Sequence, residues 1–383
     1  MFYIGHDVQA TIERIYIEDS EQLHLICQRY AQAKILAIDT EFVRTRTLYP
    51  KLGETLALID PVAVSDLTVF WQLLENPNIQ KVLHACSEDL EVFLTAGNCR
   101  PVNLIDSQII MAFLGHGISM GYAAMIAHYT DIELDKSESR TDWMKRPLTQ
   151  KQLDYAAADV EHLFNILPLL FADIEKAGWL DAAQEESNVM VDRKFSPIDE
   201  SQLYLNLKMA WRLNPVQLYR LQQLTIWRFQ QAKIKDRPIG FIAKDHTLFA
   251  LAQVNPTSVG AMSGIEGVEV LDIRHKGNVM LTVLKRATEA KNATLPEPII
   301  RLDEYPGYKQ NFKKVKNAIT EFSTQTNLLP ENFASKKQIN QFMSWHFKLN
   351  GAENNPQLVD IMRGWRKSLF GDKLLAFVEN DFK

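Results

Sequence analysis

The chain is poor in cysteine. Among 383 residues there are three, Cys27, Cys86 and Cys99, and no two of them form a C-x-x-C pair. That excludes a disulfide framework and a cysteine-rich structural zinc site, and it points to a reducing compartment. Long apolar runs are also missing. No stretch reaches the ~18 residues of a membrane span, and the N-terminal MFYIGHDVQATIERIYIEDSEQ mixes acids with apolar residues as no secretory leader does. The expected setting is cytoplasmic, with no membrane partner. A strong net charge is absent as well, but the value of −5 conceals a division. Residues 1–200 hold 16 Lys+Arg against 31 Asp+Glu, and residues 201–383 hold 26 against 16. An acidic half joined to a basic half suits cation binding in one and polyanion binding in the other, although solvated helix faces produce the same asymmetry.

The length implies two or three domains. In the first half, strand-like segments (11–17, 35–39, 55–60, 81–84 and 103–106) alternate with helix-like ones (20–32 with Ser20 as its cap, 87–96, 107–114, and 149–177 between a Thr149 cap and Gly178). That alternation predicts an α/β domain. A polar stretch at 192–200 closes it. Beyond lies helical periodicity, at 202–213, 215–233, 245–254 and 277–291. After a linker carrying Pro296, Pro298 and Pro306, it resumes at 308–326, 336–349, 355–368 and 372–379. Pro238, Phe241 and Lys244 recur 92 residues later as Pro330, Phe333 and Lys336, each set between a long helix and the next, which suggests a duplicated helical module. The expected domains are therefore 1–195, 196–295 and 296–383.

Three acidic motifs carry chemistry. Asp39 and Glu41 stand two apart on a strand, so they project from one face. Two carboxylates ~4 Å apart repel by ~4 kcal/mol at an effective dielectric near 20. That cost falls away if they share a divalent cation or if one protonates, and oxygen-only ligands suit Mg²⁺ or Mn²⁺. Asp89 falls in the first turn of a helix, where an acid also simply complements the helix dipole. Tyr155 and Asp159 lie four apart on one helical face, separated by three alanines that leave room for a bulky ligand or for close helix–sheet packing.

Together these motifs resemble the 3′→5′ exonucleases named for four acids, Asp-Glu-Asp-Asp, in their tyrosine version. The alternative version needs a histidine where this chain has Asp154. The stretches DTEFVRTRTLYPKLG, KVLHACSEDLEVF, LIDSQI, LDKSESRTDWMKRPLT and QLDYAAADVEHL are similar to the bacterial ribonuclease D family, and the two helical modules are similar to its paired HRDC (helicase and ribonuclease D C-terminal) domains. In one place the chain departs. The family has a further apolar strand between YPKLG and the segment at 54–60, and its lack here reads as an omitted segment rather than a strand lost from the sheet.

The resemblance implies a ribonuclease H-like (DnaQ-like) exonuclease domain with a mixed sheet, followed by two all-α HRDC-type domains. It implies hydrolysis at the 3′ end of RNA with a free 3′ hydroxyl, such as transfer RNA precursors and other structured RNA, by a monomer using two divalent cations, Mg²⁺ or Mn²⁺. Asp39, Glu41 and Asp159 would hold one cation, and Asp39 and Asp89 the second. Tyr155, whose free phenol titrates near 10, would orient the attacking water rather than act as a strong base. Arg44, Arg46, Lys233, Lys235, Arg237 and Lys244 are candidate phosphate contacts. His84 reads as a packed, hydrogen-bonded residue, and Asp106 and Asp142 are not assigned as ligands. A related DNA exonuclease and a nucleic-acid-binding scaffold with an inactive nuclease fold are the alternatives.

Overall fold

Strand β2 (Ile35–Phe42) organises the first half of the molecule, because its alternating side chains serve two different cores. Leu36 and Ile38 are buried among residues on one face of the sheet, and Ala37 among those on the other. The computed structural model describes residues 13–42, 46–52, 55–134, 137–139, 141–326, 328–350 and 359–380, without the side chains of 42–52. The sheet has six strands: β1 (Glu13–Ile17), β2, β3 (Arg46–Leu52), β4 (Thr55–Ile59), β5 (Gln80–Leu83) and β6 (Leu104–Asp106), in the order β1-β4-β3-β2-β5-β6. β3 runs antiparallel to both β2 and β4, while the β1–β4, β2–β5 and β5–β6 pairs are parallel. This is the mixed sheet that the family resemblance implied.

One face is covered by α1 (Ser20–Tyr30), α2 (Thr68–Glu75) and α3 (Ser87–Gly97), whose Leu23, Tyr30, Phe70 and Phe93 are fully buried. The other carries α4 (Ser107–Phe113), α5 (Tyr122–Tyr129) and the long α6 (Gln150–Ala177). α6 starts and stops for local reasons. Thr149 and Gln152 form a reciprocal capping box, and Gly178 closes the helix at φ 75°, a conformation open to glycine. α7 (Leu180–Phe195) follows it.

Three local readings are corrected. The cap of α1 is Asp19, not Ser20, because its carboxylate reaches the Gln22 amide at 2.8 Å. The segment 202–213 is not one α-helix but two 3₁₀ turns, Glu200–Asn206 and Ala210–Arg212. Tyr204, Leu207, Ala210 and Leu213 are buried at intervals of three, the repeat of a 3₁₀ turn rather than 3.6, and backbone bonds join each to the next. At the site of the expected omitted strand, residues 46–52 fill the place beside β2, from Phe42↔Arg46 to Ala37↔Lys51, and β4 begins at Thr55. Gly53 and Glu54 lie outside the described residues.

The two helical modules share a plan. Helices Pro215–Lys235, Ile239–Ile242 and Asp245–Val254 correspond to Tyr308–Thr324, Pro330–Phe333 and Lys336–His346. The repeated phenylalanine has opposite fates: Phe241 is 70% exposed and Phe333 is 0%. The first module has a core of its own, built from Leu218, Leu221, Leu248, Leu251 and Leu284 among others. The second shares the core of the exonuclease domain. Trp365 packs edge-on against Phe113 and Trp179, its Nε1 donates to Glu186 at 2.8 Å, and Asn332 donates to the Ala112 carbonyl. Arg366, nearly buried, pairs with Glu186 and donates to the Phe333 carbonyl at 2.6 Å. Glu186→Ala leaves that guanidinium with carbonyl acceptors only. The expected loss of stability is about 1–3 kcal/mol, read as a lower melting temperature by circular dichroism. An unchanged melting curve would show that the pair does not hold the module in place.

Candidate active site

Strand alternation decides which helix each acid of β2 meets. Asp39 and Glu41 share the face of Ala37, which is covered by α6, and so approach Tyr155 and Asp159. Thr40 shares the face of Leu36 and Ile38, where α3 packs, and its hydroxyl donates to the Asp89 carboxylate. The D-x-E motif thus reaches both helices through one three-residue segment.

Asp39, Glu41 and Asp159 each place a carboxylate oxygen within 4.8 Å of the others. Asp89, only 6% exposed, lies outside that trio but close enough that its charge acts on both Asp39 and Glu41. Tyr155 sits in hydrogen-bonding reach of Asp159. Asp39, Glu41 and Asp159 line a cavity of about 360 Å³ together with His84, Tyr122, Leu134 and Leu163.

Burial pushes all four carboxyls up, and at Asp39 and Glu41 the charges of the neighbouring acids add to it. Asp39 lies well above the ordinary carboxylate value, through burial first and then the charges of Asp89, Asp159 and Glu41. Burial, with Asp159 and Asp89 beside it, raises Glu41 to about 8. Asp89 and Asp159 rise to about 7, chiefly through burial, against the lowering effect of the Thr40 and Tyr155 hydrogen bonds. Burial, with Asp159 and Glu41 beside it, also raises the Tyr155 phenol, so it is not a base at neutral pH. Among the described residues no lysine or arginine forms an ion pair with any of the four acids. A cluster of three hard oxygen donors, with no cationic side chain paired to it among the described residues, suits a divalent cation.

The neighbouring candidates make hydrogen bonds of their own. The two ring nitrogens of His84 meet the Ser107 hydroxyl at 2.9 Å and the Met120 carbonyl at 3.1 Å. Asp106 caps α4 and accepts from the Ala85 and Cys86 amides, which holds the turn into α3. Asp142 accepts from the Met144 amide. Arg44 lies outside the described residues, and so does the side chain of Arg46, which opens β3. Lys235, Arg237 and Lys244 line one groove of the first helical module beside Phe241, while Lys233 lies 3.8 Å from Glu200. Sequence reasoning missed Tyr122. It lines the cavity, donates to the Asp159 backbone carbonyl and packs edge-on against His84. In the sequence it stands in an isolated GYAA with no acidic neighbour to mark it.

A mixed sheet that gathers acids from a strand and a helix, with a tyrosine one turn before the last of them, defines a 3′→5′ exonuclease fold. The family model described as 3′-5′ exonuclease matches residues 15–175, the HRDC domain model matches 217–284, and that of the ribonuclease D C-terminal HRDC domain matches 306–374. The chain belongs to the ribonuclease D family and is an exoribonuclease. It is 41% identical to ribonuclease D of Serratia proteamaculans, covering 94% of this chain and 96% of that one. It is 39% identical to that of Cronobacter turicensis, covering 95% and 100%. The crystal structure of Escherichia coli RNase D, described as an exoribonuclease involved in structured RNA processing, superposes with a TM-score of 0.90 at 37% identity, covering 96% of this chain and 99% of that one.

Proposed function

We propose that this chain removes nucleotides one at a time from RNA bearing a free 3′ hydroxyl, releasing nucleoside 5′-monophosphates, and that its substrates are structured RNAs such as transfer RNA precursors. The observation that carries this is the convergence of Asp39, Glu41 and Asp159 within 4.8 Å at the floor of a cavity. Asp39, Glu41 and Asp159 would hold one divalent cation, Mg²⁺ or Mn²⁺, and Asp39 with Asp89 a second. When bound, such a pair of cations supplies Lewis acidity, lowering the pKa of the attacking water and offsetting charge on the leaving oxygen.

The chain's own groups provide the rest. Tyr155, kept protonated, orients the water by hydrogen bonding. Thr40 holds Asp89 in one rotamer by donating to it. Tyr122 fixes the backbone of the α6 turn that carries Asp159. Lys235, Arg237 and Lys244, with Lys233, Arg44 and Arg46, contact the phosphate backbone without reading bases. The enzyme acts as a monomer in the cytoplasm.

The test is a 5′-labelled RNA incubated with Mg²⁺ or Mn²⁺, its 3′ end left free or phosphorylated. A ladder that shortens stepwise from the free hydroxyl alone is the expected result. Internal cuts, or equal digestion of both ends, would refute the assignment.

A further inference from the structure

The loop before α6 is pinned at both ends around a single buried tryptophan. At one end Gln152, the third residue of α6, donates through Nε2 to Thr141 Oγ1 at 3.2 Å and to the Asp142 carbonyl at 3.4 Å. At the other, Arg146 spreads one guanidinium over three groups. Its Nε and Nη2 meet the two carboxylate oxygens of Asp60 at 2.5 and 2.6 Å, and its Nη1 donates to the carbonyls of Trp143 at 2.7 Å and Lys145 at 3.1 Å. Asp60 follows β4, is 1% exposed, and is held in turn by the Tyr16 hydroxyl at 2.7 Å and the Val62 amide at 2.9 Å. Between the pins, Trp143 is 1% exposed and its ring lies 6.2 Å from that of Tyr155, tilted by 48°. That separation is within the range of interacting aromatic pairs. Among the described residues the Trp143 Nε1–H has no acceptor. Leaving a buried donor unpaired costs about 1–3 kcal/mol, so the N–H does not place the indole. The anchored loop does.

A buried ion pair is weak evidence for stability, because apolar replacements of similar volume are often neutral. Arg146 contributes something an apolar residue would not: it ties the Trp143 main chain to the sheet that carries Asp39 and Glu41. We infer that Asp60, Arg146 and Trp143 form a positioning unit for Tyr155, fixing the phenol over the acidic cluster. The inference rests on the reading of Tyr155 as the group that orients water. Displacing such a group by ~1 Å is enough to cost ~10²-fold in rate.

The experiment is a double-mutant cycle between Arg146→Lys and Tyr155→Phe, with kcat and KM measured on an unstructured RNA. Arg146→Lys is expected to lower kcat about 10–100-fold, the range for groups that orient ligands from behind, with KM within about threefold. In the Tyr155→Phe background the same change is expected to cost less than about threefold, because the group it positions has gone. Multiplicative losses, or a loss confined to KM, would overturn the positioning role while leaving the role of Tyr155 intact. A Tyr155→Phe enzyme as fast as the parent would instead remove the reading of Tyr155, and the inference with it. Trp143→Phe and Trp143→Leu, both checked for folding by circular dichroism, carry the test if Arg146→Lys does not fold. Phenylalanine keeps a ring against Tyr155 and is expected to retain most of kcat, and leucine to lose it. Equal rates for the two would also overturn the proposal.

Discussion

Replacing Asp39 with asparagine is expected to stop turnover, lowering kcat by ~10³-fold or more, about 4 kcal/mol of lost transition-state stabilisation. The substitution keeps size and one oxygen, so packing on the Ala37 face of β2 persists. It removes the one acid that would serve both cations and the central charge among Glu41, Asp89 and Asp159. Affinity for RNA should change by less than about threefold, since phosphate contacts from the basic half supply most non-specific binding and Lys235, Arg237 and Lys244 sit in a different module. Binding is read by fluorescence anisotropy in Ca²⁺ or without metal, and turnover by single-nucleotide release in Mg²⁺. An Asp39→Asn enzyme that retains a tenth of parental kcat would mean the trio is not where the chemistry occurs. One that loses binding in step with turnover would mean the acids act on RNA affinity rather than on the reaction.

What could be read from the sequence was local. Thr149 and Gly178 bracket α6 by capping chemistry that needs no partner elsewhere, and the structure places both as caps. The D-x-E spacing implies one shared face, and Y-x-x-x-D implies one helical turn; neither inference depends on the fold. Non-local consequences stayed hidden. β3 carries Pro50, which argues against a strand interior, and it is held in the sheet by pairing with β2 and β4 on either side. Nothing in PENFASK tells Phe333 from its counterpart Phe241, because its burial comes from Trp365 and Phe370, more than thirty residues further on. Asp89 has no local signal that separates it from an ordinary first-turn acid; the family resemblance alone marks it, and its bond from Thr40 spans 49 residues. Asp60 and Arg146 are 86 residues apart, and no periodicity connects them.

The same acids that make the site reactive should make the metal-free fold fragile at high pH. In the unfolded chain their carboxyls titrate near 4. In the fold Asp89 and Asp159 titrate near 7, Glu41 near 8, and Asp39 well above the usual value. Between those limits the folded state holds protons that the unfolded state has released, so stability falls as pH rises from about 4 through 8. Below the window both states are protonated and the penalty vanishes; above it the penalty is complete. Asp60 does not mask the trend, because its carboxyl is held below the ordinary value, with Arg146 and Tyr16 outweighing burial, and its contribution is lost only at lower pH. His84, His116 and His346, all lowered chiefly by burial, pull the other way near neutrality. Comparing the parent with Asp39→Asn cancels them. In EDTA the parent's melting temperature should drop by about 5 °C or more between pH 5.5 and 8, at a few degrees per kcal/mol. Asp39→Asn should drop less and melt higher than the parent at pH 8. Saturating Mn²⁺ binds the ionised cluster and stabilises by mass action, so it should restore the parent at pH 8 and leave Asp39→Asn nearly unmoved. Parallel pH slopes for the two proteins in EDTA would show that these carboxylates are not forced together in the fold, and a shared cation would then have no repulsion to relieve.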